Sequence, residues 1–178
     1  LSNLPNTLVT LECYNNKIEQ IEALPSSLKS LNIASNQLQT LPALLGPITY
    51  LNLYNNKIIT LPQLPSTITY LNFGINKVSS MSQLPDNLIE LVCDNNELIT
   101  LPALPNKLTS LNCSYNSALV CLPILPNSLR YLNIYDNKNI ACLPNFPSGL
   151  SVGGNFSGTL PLCGVADVSL MQAIKETC

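Results

Sequence analysis

Seven cysteines stand in a chain of 178 residues that contains no histidine at all. A zinc site built from cysteine alone needs ligands paired at CxxC spacing. Cys13, Cys93, Cys113, Cys121, Cys142, Cys163 and Cys178 contain no such pair, so neither a metal nor another cofactor is expected. The missing histidine also removes the commonest general base. A Ser or Thr nucleophile would then need a lysine base, and Lys57, Lys77 and Lys107 sit among turn and loop residues that face water. Glu90 and Asp94 come nearest to a carboxylate pair. On an exposed sheet face they are expected to keep ordinary acidities rather than divide into an acid and a base. The chain reads as non-enzymatic.

Composition narrows the remaining choices. With 46% hydrophobic residues, the chain can bury a sizeable core. Charged residues make up 10% and the formal net charge is -2, so no basic stripe exists to neutralise phosphates. Nucleic acid is excluded as an expected partner. Asn, Pro and Thr interrupt every apolar stretch well short of the ~20 residues of a membrane span, so no membrane insertion is expected.

The elements that position these residues come from a repeat. Asn16, Asn36, Asn56, Asn76, Asn96 and Asn116 are spaced by 20, and Asn137 and Asn155 follow after 21 and 18. Around each Asn the frame LxxLxLxxNxLxxLPxLPxx recurs, as in Leu28, Leu31, Ile33, Asn36, Leu38 and Leu41-Pro42. Alternation such as Leu51, Asn52, Leu53 and Tyr54 predicts a short strand with one face inward. Stacked copies predict a parallel sheet, covered on its inner side by the Leu-Pro half of the same coil. The Asn lies in the bend after the strand, where its amide can donate to and accept from the backbone of its own and adjacent coils. The LPxLP segments, Leu61–Pro65, Leu101–Pro105 and Leu122–Pro126 among them, exclude helix and favour an extended, polyproline-like path. Coils two and four depart from it, as Leu41-Pro-Ala-Leu-Leu-Gly-Pro47 and Met81-Ser-Gln-Leu-Pro85.

The frame resembles the twenty-residue bacterial leucine-rich repeat over nearly all of residues 4–150. Two groups share it: repeat domains of secreted effectors from enteric pathogens, and cysteine-containing repeats of exported or surface proteins of the Bacteroidetes group. Cys121-Leu-Pro and Cys142-Leu-Pro, with Cys93 and Cys113 in strands, are more similar to the second. The expected fold is a leucine-rich repeat solenoid of seven to eight coils over 1–150. Its parallel β-sheet forms a concave face, and its extended convex side has little helix. A C-terminal cap over 151–178 is expected to contain a short helix, N-capped by Asp167 and apolar at Val168, Leu170, Met171 and Ile174. Leu1–Pro5 resembles the tail of an earlier LPxLP, which suggests part of a longer chain.

Cys13, Cys93 and Cys113 take the inward position that Ile33, Leu53 and Ile134 fill elsewhere, and read as small core hydrophobes. Cys121 and Cys142 share one repeat position a coil apart, within reach of a disulfide, although a free pair also fits. Cys163 and Cys178 flank the expected helix and would close the C-terminal end if bonded. Such a bond implies an oxidising compartment, hence an extracellular or cell-surface protein.

All seven tyrosines fall on the outward sheet face or its edge. Tyr50, Tyr54 and Tyr70 form one cluster and Tyr115, Tyr131 and Tyr135 a second, with Gly74, Ile75 and Val92 between them. Tyr14 stands apart. Asn32, Asn52, Asn72, Asn112 and Asn133 line the same face. Tyr and Asn suit exposed strands for structural reasons alone. The same pair also suits a surface that binds a protein or glycan ligand, through rigid aromatic area and adaptable amides. The expected ligand-binding residues are Tyr50, Tyr54, Tyr70, Asn52, Asn72, Tyr115, Tyr131, Asn133 and Tyr135. Two other roles share this pattern: the recognition repeats of an effector whose enzymatic domain lies elsewhere, and a spacer.

Overall fold

The computed structural model describes residues 1–154 together with Leu162 and Cys163. Eight three-residue strands follow one another: β1 Thr10–Glu12, β2 Ser30–Asn32, β3 Tyr50–Asn52, β4 Tyr70–Asn72, β5 Glu90–Val92, β6 Ser110–Asn112, β7 Tyr131–Asn133 and β8 Ser151–Gly153. They pair in sequence order, all parallel, as a single sheet. Register is set by the repeat, since Leu31 pairs with Leu51 and Leu51 with Leu71. A slip by one residue would turn this apolar row to water. The chain is therefore a leucine-rich repeat solenoid. Strand β8 lies just past the expected boundary at residue 150 and adds one more rung to the sheet. The capping helix expected around Asp167 lies outside the described residues.

The inward residues form one continuous core. Leu31, Leu51, Leu71, Leu91, Leu111 and Leu132 are fully buried at the strand centres, and Ile33, Leu53, Phe73, Cys93, Cys113 and Ile134 are fully buried two residues on. At the first coil the column is open on one side, and Leu11 and Cys13 are only partly buried. No residue from β1 to β8 is helical, and the Leu-Pro half of each coil runs without regular structure among the described residues. Each coil re-enters the sheet through a tight turn in which the Leu N–H bonds the Pro carbonyl three residues back, as Leu28 to Pro25 and Leu108 to Pro105. Coil two breaks this rule, with Ile48 N–H bonding Gly46 instead. Glycine is required there, because a Cβ on Gly46 would meet the Leu28 carbonyl oxygen at 2.4 Å.

The Asn column is a ladder of the expected kind. Asn56 Nδ2 donates to the carbonyls of Ile33, Leu53 and Tyr54, and its Oδ1 accepts the Leu38 N–H at 3.0 Å. One buried side chain thereby satisfies backbone groups on two coils. Asn36, Asn76, Asn96 and Asn116 repeat the scheme. Asn155 lies outside the described residues.

The bend that presents this amide needs a left-handed residue just before it. Asn15, Ser35, Asn55, Ile75, Asn95, Tyr115 and Asp136 all have φ between 52° and 56°. Asn and Asp tolerate that region, whereas a β-branched residue is strained there. Ile75→Asn should therefore stabilise the protein by about 1 kcal/mol, visible as a rise of roughly 2–4 °C in a calorimetric melt. An unchanged or lower melt would mean that Ile75 packing outweighs the backbone strain.

The cysteine pairing differs from both expected bonds. Cys142 is joined to Cys163, with their Cα atoms 5.1 Å apart. Neither Cys121–Cys142 nor Cys163–Cys178 can then form. Cys121, Cys142 and Cys163 are spaced by 21 residues each, and the bond joins the second pair of this series rather than the first. Leu143 pairs with Leu162 in a parallel bridge, and Cys163 N–H bonds the Leu143 carbonyl, which sets the two sulfurs side by side. Closing a loop of this length stabilises by about 3 kcal/mol. Cys121 is itself disulfide-bonded.

Cys13, Cys93 and Cys113 are free thiols. Burial pushes the Cys113 thiol up to about 12 and raises Cys93 well above its ordinary value. Both stay protonated and inert at neutral pH, since the thiolate is the reactive form. Thiol titration of unreduced protein should find three thiols after denaturation, with Cys13 alone reacting readily before it. More than three would show that a bond is absent.

Candidate functional site

The outward face of the sheet carries two columns of side chains, one from the first and one from the third residue of each strand. Beyond the inward residue that follows lies a third column at the strand exit. In the first column Tyr50 and Tyr70 are register partners on β3 and β4. Their rings stack with centroids 4.6 Å apart and planes within 5°. The parallel strand spacing of ~4.8 Å matches aromatic stacking, so two tyrosines in one column become a rigid plate. Asn72 Nδ2 lies 3.3 Å from the Tyr70 hydroxyl and fixes its ring. Burial pushes the Tyr70 phenol up, while that amide contact draws it down.

Tyr54 lies on the exit column, apart from this stack. Its neighbour one coil on is Gly74, where a Cβ would meet Tyr54 Cδ2 at 3.2 Å and Asp94 Oδ1 at 2.6 Å. The missing side chain lets Tyr54 and Asp94 lean together over a buried glycine. This corrects the expectation for Asp94. Burial pushes the pKa of the Asp94 carboxyl above its ordinary value, and the hydrogen bond from its own backbone N–H only partly offsets this. In the second cluster Tyr115 and Tyr135 approach to 5.2 Å with planes inclined by 48°. Tyr115 stands on the left-handed bend at the sheet edge. Tyr131 is 45% exposed on the first column of β7, and is not among the ring contacts of the described residues.

The third-residue asparagines have a structural task that the sequence reading did not separate from binding. Oδ1 of Asn52, Asn72 and Asn133 accepts the N–H two residues on, from Tyr54, Gly74 and Tyr135. The signal lay in the spacing, because an Asn two residues before a turn can mimic a backbone turn bond. What remains for a ligand is the Nδ2 group, which at Asn72 already donates to the Tyr70 hydroxyl. Val92 interrupts the column, and there Asp94 turns its carboxylate to its own N–H.

On the opposite, Pro-rich side, a groove of ≈ 940 Å³ opens between Ala43–Gly46, Thr60–Ser66 and Ser80–Asp86. Both departures from LPxLP fall on it. No group of three or more His, Cys, Asp or Glu side chains among the described residues could hold a metal ion.

A parallel solenoid of this repeat defines a class whose members are compared by fold. A leucine-rich repeat family model matches residues 27–48. YopM from Yersinia enterocolitica WA-314 is similar in structure with a TM-score of 0.81 and 36% identity, over 86% of this chain and 34% of that one. The leucine-rich repeat domain of a Shigella effector gives a TM-score of 0.65 at 28% identity, over 75% of this chain and 62% of that one. YopM from Yersinia pestis, a leucine-rich effector protein, gives 0.62 at 29%, over 84% and 54%. The chain thus spans about a third of the length of the first of these and under two thirds of the others. No curated protein matches the sequence. No catalytic family is indicated by the matches. Among the described residues no helix is long and apolar enough to cross a membrane.

Proposed function

We propose that the protein is a non-enzymatic recognition module of an exported or surface bacterial protein, binding a protein or glycan ligand on its outward sheet face. The stacked Tyr50–Tyr70 plate carries this reading. Two large rings are held rigidly on a face where neither fills the core, so their ordering cost is met before a ligand arrives. The disulfide at Cys142–Cys163 supports an oxidising compartment and hence export.

A second reading is favoured by the likeness to YopM and to the Shigella domain: the repeats select a protein target for an effector. The cysteine-bearing strand and Cys-Leu-Pro positions support the surface-protein group instead. As a mere spacer, the solenoid would tolerate any soluble substitution on either side.

Ser110→Arg places a bulky side chain on the sheet face between the two tyrosine clusters, and Ala103→Arg places the same group on the exposed Pro-rich side. Wild type and both variants are tested on a glycan array and in pull-downs from candidate hosts. A ligand lost with Ser110→Arg and kept with Ala103→Arg supports the sheet face. The reverse moves the site to the Pro-rich side.

A further inference from the structure

The first column of the sheet face runs Tyr50, Tyr70, Glu90 on three successive strands. Since Tyr50 and Tyr70 stack face to face, their ring faces look along the row of strands. One face of Tyr70 meets Tyr50, and the other looks toward the strand that carries Glu90. Further along that strand's coil, Asp94 leans over Gly74. Asp94 accepts a hydrogen bond from Asn112 Nδ2 at 3.3 Å, and among the described residues no cation is paired with it or with Glu90. The ion pair among the described residues joins Lys138 to Asp136 instead.

Among the described residues the bases lie outside the strands. Lys17, Lys57, Lys77 and Lys138 each follow a ladder Asn, and Lys29, Lys107 and Arg130 precede strands. No described strand contains a Lys or Arg, whereas β1 and β5 carry Glu12 and Glu90. The face thus offers aromatic surface and unneutralised carboxylates side by side.

We propose that the open face of the Tyr70 ring, beside Glu90 and with Asp94 further along the same coil, takes the guanidinium of an arginine on a protein partner. This rests on the reading that the sheet face binds protein. Arginine fits better than lysine for a geometric reason. Its planar fork lies flat on a tyrosine ring while its edge N–H groups reach carboxylates, and an ammonium does only the second. The cation also relieves the burial that already disfavours charge on Asp94.

The probes are blocked octapeptides of alternating glycine with arginine, lysine or glutamate, titrated at low salt by calorimetry and by amide NMR shifts. The arginine peptide should bind, move the amides of Tyr70–Asn72 and 90–94, and exceed the lysine peptide in affinity. The glutamate peptide should not bind. Glu90→Gln with Asp94→Asn, and separately Tyr70→Ala, should each weaken binding about tenfold, with melts near that of the parent. Absent binding, unchanged affinity in these variants, or shifts confined to other acidic positions such as Asp86 and Glu97 would overturn the proposal. For a partner captured through the sheet face, capture lost in the Tyr50/Tyr54/Tyr70 triple alanine but indifferent to Glu90→Gln, Asp94→Asn and salt leaves the binding reading standing and removes the arginine site. Capture indifferent to both sets removes both.

Discussion

Asn56→Leu should lower the melting temperature by roughly 6–12 °C, about 3 kcal/mol or more. The side chain is 9% exposed and its four hydrogen bonds end on backbone groups of two coils. Leucine matches its size, so the loss is not a cavity. It is the Leu38 N–H and three carbonyls left without their amide, each in a place that water reaches poorly. Asn16→Leu at the open end should cost much less, because Asn16 is exposed and bonds only the Cys13 and Tyr14 carbonyls. The exposed neighbour Asn55 is not neutral either. Its φ of 54° makes Asn55→Leu cost about 1 kcal/mol from backbone strain alone. Denaturation by urea with a constant slope checks all three. Equal losses at Asn56 and Asn55 would place the ladder one residue away.

The ladder, sheet and core were legible because each is a column, and a column repeats its residue type. Leu at 31, 51, 71, 91, 111 and 132 states a side and a register together. The cysteine at 93 could be read as core because Leu53 and Phe73 precede it in the same column. What stayed hidden was set by geometry rather than type. The left-handed column mixes Asn, Ser, Ile, Tyr and Asp, so its composition does not announce the positive φ common to all of them. The disulfide was misplaced because Cys121, Cys142 and Cys163 make two equal steps, and sequence spacing cannot choose between them. The choice follows from Leu162 pairing with Leu143, a contact in a stretch where the repeat frame has already decayed.

The candidate site was legible as a list of residues and less so as an arrangement. Tyr50 and Tyr70 were grouped with Tyr54 by nearness in the frame, yet the stack belongs to the first column and Tyr54 to the exit column beside Gly74. From sequence alone Asp94 is an ordinary surface carboxylate. Its partial burial follows from the absent side chain of Gly74, one coil earlier, which no property of Asp94 itself could reveal.

The triple variant Tyr50→Ala, Tyr54→Ala, Tyr70→Ala should bind the ligand of the sheet face at least about a hundredfold more weakly. The three rings are partly exposed and none belongs to the hydrophobic core cluster, so truncation opens no cavity. What is lost is a preformed plate, the 4.6 Å stack, together with the ring that leans over Gly74. A single anchoring tyrosine commonly costs about 2 kcal/mol in binding, and two of these three act as one unit, so their effects should not add. Tyr50→Ala alone is therefore expected to lose most of what the pair loses, because Tyr70 left unstacked is held only through its Asn72 contact. The circular-dichroism melt should stay within a few degrees of the parent, for the Tyr stack contributes only about 1 kcal/mol to stability. The same truncation at Tyr115, Tyr131 and Tyr135 tests the second cluster, where the tilted 5.2 Å contact predicts a smaller and more nearly additive loss. Parental binding in both triple variants would mean that the tyrosines only dress the sheet, and would turn attention to the groove beside Leu45 and Met81 on the Pro-rich side.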